Sequence, residues 1–122
     1  MAAIVNFLCL VLFLTLVGKG TCQCTLGDIT IEQAATGAVV KSKPEWKAVI
    51  TNRCACSQLD LKLACGGFQT VKKVDPLVLA KTGEECSVNN GAPLYPSSAV
   101  SFTYAWNTSF PFKPLSSQIA CS

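Results

Sequence analysis

Eight cysteines are the residues of this 122-residue chain best equipped for chemistry, and they divide unevenly along it. Cys9 lies inside an apolar N-terminal run and Cys22 just after it, while Cys24, Cys54, Cys56, Cys65, Cys86 and Cys121 are spread over the remainder. Two chemistries are open to such a set. Thiolates bind zinc tetrahedrally, and Cys54-Ala55-Cys56 is the obvious pair for it. Zinc motifs, however, usually space their cysteines by about two to four residues and often add histidine, which this chain lacks altogether. The alternative is full pairing into disulfides in an oxidising compartment. We adopt it for Cys24, Cys54, Cys56, Cys65, Cys86 and Cys121, with no metal expected.

Parity supports that choice. Residues 4–17 carry no charge and only two plainly polar side chains, Asn6 and Thr15. An apolar run of this length, followed by small residues, reads as a secretory signal peptide, because a membrane-spanning helix needs about 20 residues. Removal after Cys22 leaves an even set of cysteines and starts the product at Gln23, which can cyclise to pyroglutamate. The expected organisation is therefore a signal peptide over 1–22 and a single domain over 23–122, exported and free of the membrane once the signal is removed.

Missing histidine also empties most catalytic schemes. No Ser-His or Cys-His pair can be built, and the imidazole that most often moves protons near neutral pH is absent. Carboxylate pairs remain, as in glycoside hydrolysis. Yet the only adjacent acids, Glu84-Glu85, precede Cys86 in a turn-like stretch, and Asp75 before Pro76 reads as a turn initiator. The expectation is a non-enzyme without a cofactor. A net charge of +3 with scattered lysines gives no nucleic-acid footprint. Lys72-Lys73 and the trio Lys41, Lys43 and Lys47 read as solvated strand edges.

The elements that must position the cysteines have a period of two. Over residues 58–65, Leu59, Leu61, Leu63 and Cys65 alternate with Asp60, Lys62 and Ala64. Trp46, Ala48 and Ile50 alternate with Lys47, Val49 and Thr51, and Val100, Phe102, Tyr104 and Trp106 with Ser101, Thr103 and Ala105. Ile29 and Ile31 mark a first short strand, and Ile119 and Cys121 share a face in a last one. Lys43-Pro44, Gly66-Gly67, Asp75-Pro76, Asn90-Gly91 and residues 93–96 break regular structure. The one helix candidate, residues 76–81, fits a strand equally well. Short half-buried strands separated by such breaks predict an all-β fold, a small antiparallel β-sandwich stapled by about three disulfides.

The cysteines fall on the inward phase of these strands, so they are expected to act as struts between the two sheets. Cys54 and Cys56 cannot bond each other on an extended strand, because Cβ atoms two residues apart lie about 7 Å from one another while a disulfide needs about 4 Å. The other pairings remain open.

Two further features concern the surface. Asn107-Thr108-Ser109 is a glycosylation sequon in an expected loop, with Asn107 the acceptor, whereas Asn52-Arg53-Cys54 is the weak cysteine variant. Phe110-Pro111-Phe112-Lys113-Pro114 holds two aromatic rings between prolines. Phe110 and Phe112 are therefore either packed against the sandwich edge or presented as partner contacts on rigid backbone.

The order of Cys24, the strand over 28–33, Asn52-Arg53-Cys54-Ala55-Cys56, Cys65-Gly66-Gly67-Phe68, Val74-Asp75-Pro76, Cys86-Ser87-Val88-Asn89-Asn90-Gly91 with Pro93-Leu94, Val100-Ser101-Phe102-Thr103-Tyr104-Ala105 and Ile119-Ala120-Cys121 resembles the tapetum determinant family of plants. The resemblance runs over the whole expected mature chain. It implies a small protein secreted to the apoplast and perceived by the ectodomain of a leucine-rich-repeat receptor kinase in cell-fate signalling, with the six cysteines as framework and no catalytic position. The single residue between Cys54 and Cys56 and the short spacer before Cys24 place this chain nearer a short Cys-x-Cys branch than the founding type.

A second class of function stays open on the residues alone, a module binding cell-wall polysaccharide on exposed aromatic rings. Trp46 and Tyr104 lie on inward phases, which leaves Trp106 and Tyr95 as platforms. A planar row of exposed rings favours sugar, and a mixed apolar patch favours protein. A constrained loop over 89–96 is what a defence or inhibitor protein would present.

Overall fold

The computed structural model describes residues 24–121; the expected signal peptide, its Cys22/Gln23 boundary and Ser122 lie outside the described residues. The described chain forms β1 (Ile29–Val40), β2 (Lys43–Asn52), β3 (Ser57–Ala64), β4 (Leu79–Thr82), β5 (Glu85–Val88), β6 (Ala99–Ala105) and β7 (Lys113–Ala120). Strands in the order β1-β2-β6 make one antiparallel sheet, and β4-β5-β3-β7 make the other. The all-β sandwich expected from the period-two pattern is what the chain adopts.

The pattern works because each strand of the first sheet turns its apolar residues one way. In β2 the inward set continues from Trp46 through Ala48 and Ile50 to Asn52, the last three fully buried. Pairing of Trp46 with Tyr104 and of Ala48 with Phe102 puts the apolar residues of β6 on the same face. Leu61, Leu63, Leu79, Cys86 and Val88 meet them from the other sheet in one core cluster. Burial of each such aliphatic side chain stabilises the fold by about 1.5–3 kcal/mol before ordering costs.

Several expectations need correction. The first strand is not short: β1 runs for 12 residues and forms a hairpin with β2 through a two-residue turn at Lys41 and Ser42. Both turn residues have positive φ, 48° and 68°, the backbone that matches strand twist but is usually supplied by Asn-Gly. Lys43-Pro44 therefore begins β2 instead of breaking the chain. In β3 the alternation slips at Asp60, whose φ is 54°, where the register with β7 shifts. The inward position moves from Gln58 to Leu61, so Leu59 is only half-buried and Gln58 is fully buried. Residues 76–81 are a turn followed by β4, and Glu84-Glu85 sits at the turn of a β4–β5 hairpin in which Gly83 supplies a φ of 66°.

The largest correction concerns the cysteines, which do not bridge the sheets. Cys24 pairs with Cys54 (Cα–Cα 5.6 Å) across the open end of the β1–β2 hairpin. Cys56 pairs with Cys121 (4.7 Å), at the ends of neighbouring strands β3 and β7. Cys65 pairs with Cys86 (5.9 Å), between the residue after β3 and the adjacent β5. Each bond ties elements of one sheet. Cys54 and Cys56 take different partners, and Cys121 is exposed, as is Ile119, because β7 is an edge strand.

Candidate functional site

Three constructions position the side chains in question. The first surrounds the Cys-x-Cys turn. Asn52, fully buried at the end of β2, donates from Nδ2 to the carbonyl oxygens of Cys56 and Leu94, both at 2.8 Å. Its Oδ1 accepts from the Cys54 N–H at 3.0 Å and from Gln58 Nε2 at 3.4 Å. Gln58 in turn donates to the Thr25 carbonyl and accepts from the Ser117 hydroxyl of β7. Every polar atom of these two buried amides has a partner, which is the condition for burying them at all. The Sγ atoms of Cys24, Cys54 and Cys56 lie within 4.8 Å of one another. With all three committed to disulfides they are not thiolates, and the cluster is a junction of two covalent ties.

The second construction is a cluster of aromatic rings. Phe68, Phe102, Tyr104, Phe110 and Phe112 pack with centroids between 4.9 and 5.9 Å, mostly edge to face. The Tyr104 hydroxyl donates to Gln33 Oε1 of β1 and accepts from the Phe110 N–H at 2.8 Å, while Gln33 Nε2 donates to the Phe110 carbonyl at 2.6 Å. Burial pushes the Tyr104 hydroxyl above its ordinary pKa, with the Phe110 hydrogen bond opposing. Phe112 is 6% exposed and Phe110 half-buried. Of the two placements open for these rings, packing is the one observed: both lie against Phe68, Phe112 fully and Phe110 in part. The packing role of Phe68 has no periodic signal in the sequence, because it follows the Gly66-Gly67 turn.

The third construction is the connection over residues 66–78 between β3 and β4, which leaves its own sheet and straps onto the other. The Val71 N–H donates to the Ala105 carbonyl, and the Ala105 N–H to Thr70 Oγ1. Lys72 Nζ reaches Glu45 Oε2 at 2.5 Å and Thr103 Oγ1 at 2.6 Å, so Lys72 is a tie and not a solvated edge. Lys43, too, is engaged, with its Nζ 5.2 Å from the centre of the Trp106 ring and donating to Asn107 Oδ1. The Lys72 ammonium, with help from the Thr36 hydroxyl, holds the Glu45 carboxyl below its ordinary value of 4.5. A depressed carboxylate stabilises the fold above its unfolded pKa and loses that contribution as pH falls through the folded one. Stability-versus-pH curves of wild type and Glu45→Gln are therefore expected to stand apart at neutral pH and to converge well below pH 4.5, measured by denaturant melts across pH.

The rings available to a sugar are few. Trp46 and Trp106 are half-buried and linked, with Trp46 Nε1 donating to the Trp106 carbonyl, and Tyr104 is inaccessible. Among the described residues Tyr95, 60% exposed, is the one large aromatic open to solvent; the other exposed apolar side chains are the aliphatic Val39, Leu77, Leu115 and Ile119.

With this framework of six paired cysteines and a ring-filled core in view, comparison with known proteins is decisive. The family model described as Tapetum determinant 1, C-terminal, matches residues 25–122. The chain belongs to the tapetum determinant family. Among its relatives in that family, TPD1 protein homolog 1 of Arabidopsis thaliana is 32% identical over 102 residues, covering 78% of this chain and 57% of the relative. TPD1 protein homolog 1A of Oryza sativa subsp. japonica is 33% identical over 103 residues, 77% of this chain and 45% of the relative. The tapetum determinant chain described here thus spans about half the length of these two. An uncharacterized Arabidopsis thaliana protein is 31% identical over 117 residues, covering 92% and 90% of the two chains. No solved structure matches the chain.

Proposed function

We propose that this tapetum determinant protein is a secreted extracellular ligand that acts by binding rather than catalysis, recognised by the ectodomain of a leucine-rich-repeat receptor kinase in plant developmental signalling. Family membership supports the class. The observation that carries protein recognition over sugar recognition is the placement of the rings: five are spent in the internal cluster, and Tyr95 alone gives no planar row. The exposed edge strand β7, with Leu115 and Ile119, offers the mixed apolar surface that a concave repeat array can cover. A standard interface of roughly 800 Å² per partner fits a domain of this size. The test is pull-down of secreted, disulfide-intact protein against leucine-rich-repeat ectodomains and wall polysaccharides in parallel. Retention by polysaccharide alone defeats the reading.

Secretion and modification belong to the same proposal. Asn107 is exposed and uses only Oδ1, toward Lys43, leaving its amide nitrogen for a glycan. Asn52 is fully buried with Nδ2 on two carbonyls. Intact-mass analysis of secreted protein is expected to give a chain starting at Gln23 with three disulfides and one glycan. Deglycosylation and peptide mapping should mark Asn107, and Asn107→Gln should abolish the glycan; modification at Asn52 would contradict the structure.

A further inference from the structure

The strap over residues 66–78 is not packed tightly against β4. Between them lies a cleft of about 450 Å³ whose lining includes Phe68, Val71, Val74 and Leu79, with Lys73 and Lys81 among its walls. This volume falls in the range of small-molecule sites, roughly 300–1,000 Å³. Its apolar part is continuous with the core, since Phe68 and Leu79 are buried members of the central cluster and Val74 packs against it. Its charge is one-sided, because no acidic residue lines it. The third lysine, Lys72, is neutralised by Glu45. Lys81 donates only to the neutral Gly83 carbonyl, and the Lys73 side chain makes no hydrogen bond or ion pair among the described residues. An apolar recess bordered by two uncompensated ammonium groups is chemically matched to an apolar body carrying one negative charge.

We propose that this cleft is a binding site for a small amphiphilic anion, a molecule with a single carboxylate or sulfonate on an aliphatic or aromatic body. The body lies against Phe68, Val71, Val74 and Leu79, and the charge meets Lys73 and Lys81. The site is separate from the β7 edge, so the proposal stands or falls independently of receptor recognition. It accounts for two features the fold alone does not require: an apolar cleft opening beside the core, and two lysines at its walls with no acidic partner.

The test is a titration of the disulfide-intact protein with octanoate, followed by two-dimensional amide NMR. Saturable shifts confined to the amides of the strap and β4 are expected. The double variant Lys73→Gln/Lys81→Gln should weaken binding by about tenfold, the scale of losing two partly screened ion pairs, and should keep the wild-type circular dichroism. A control double variant outside the cleft, Lys41→Gln/Lys113→Gln, should bind as wild type does. Shifts that fail to saturate, that spread over the surface, or that are indifferent to the Lys73/Lys81 change overturn the proposal. So does equal binding of 1-octanol, which removes the role of charge. An N-acetylated Asp-Leu-Phe peptide that binds the same amides more tightly than octanoate would reassign the cleft to a protein segment.

Discussion

Phe112→Ala is expected to destabilise the domain by about 3–5 kcal/mol, the range for deleting a buried aromatic ring. Against a typical total of about 5–15 kcal/mol this approaches unfolding. The reason is its position. Phe112 touches Phe68, Phe102, Tyr104 and Phe110 at centroid distances of 5.0, 5.6, 5.8 and 4.9 Å, so one truncation leaves four rings facing a void. Those rings come from the strap, β6 and the segment before β7, and they cannot collapse together without moving three chain segments. Thermal melts of the oxidised protein should show a fall of at least about 12 °C, taking about 4–8 °C per kcal/mol for a domain of this length. Phe110→Ala, at a half-buried position, should cost less. A Phe112→Ala protein that melts like wild type but fails to bind its partner would instead give the ring the partner-contact role that the sequence left open.

Asn52→Leu is the second large effect, expected at about 3 kcal/mol although leucine is nearly the same size and more apolar. Removing the amide strands the Cys54 N–H, whose hydrogen-bond partner is Asn52 Oδ1, and deprives the Cys56 carbonyl of its donor. Each buried polar group left without a partner costs about 1–3 kcal/mol. Asn52→Asp keeps the acceptor for Cys54 but turns a carboxylate oxygen toward the Cys56 and Leu94 carbonyls, so it should be no better. Because the same hydrogen bonds shape the turn that sends Cys54 and Cys56 to different partners, peptide mapping of refolded Asn52→Leu should reveal non-native disulfides. Wild type refolded in parallel should give one set of pairs.

What could be read from the residues follows from which physics is local. The inward phase of Trp46, Ala48 and Ile50 was legible because a half-buried antiparallel strand imposes alternation directly on the sequence. The slip at Asp60 was not, since a positive φ there is visible only against the register with β7. The Lys41-Ser42 turn was hidden for a similar reason, as these residue types rarely mark a two-residue hairpin. Period two places cysteines on a face but carries no information about which sheet that face meets, so the expected inter-sheet struts became ties within each sheet. Phe110 and Phe112 illustrate the remaining limit. Their rigid proline setting was plain, yet the direction of the rings depended on Phe68 and on the Tyr104–Gln33 hydrogen bonds, all distant in sequence.

The pairing of cysteines also divides the chain as a circuit. Cys24–Cys54 closes a loop on one side of Ala55, and Cys56–Cys121 closes another on the other side, with Cys65–Cys86 nested inside the second. Among the described residues no disulfide spans Ala55. A single peptide-bond cut there would sever the oxidised protein into two covalently separate pieces, the β1–β2 hairpin and a cross-linked ring holding β3 to β7. Only non-covalent forces, chief among them the ladder between β2 and β6 from Glu45–Ala105 to Thr51–Ala99, would keep the pieces together. A protein whose many crosslinks give it the look of a sealed unit is thus, at one exposed alanine, one hydrolysis away from being a heterodimer.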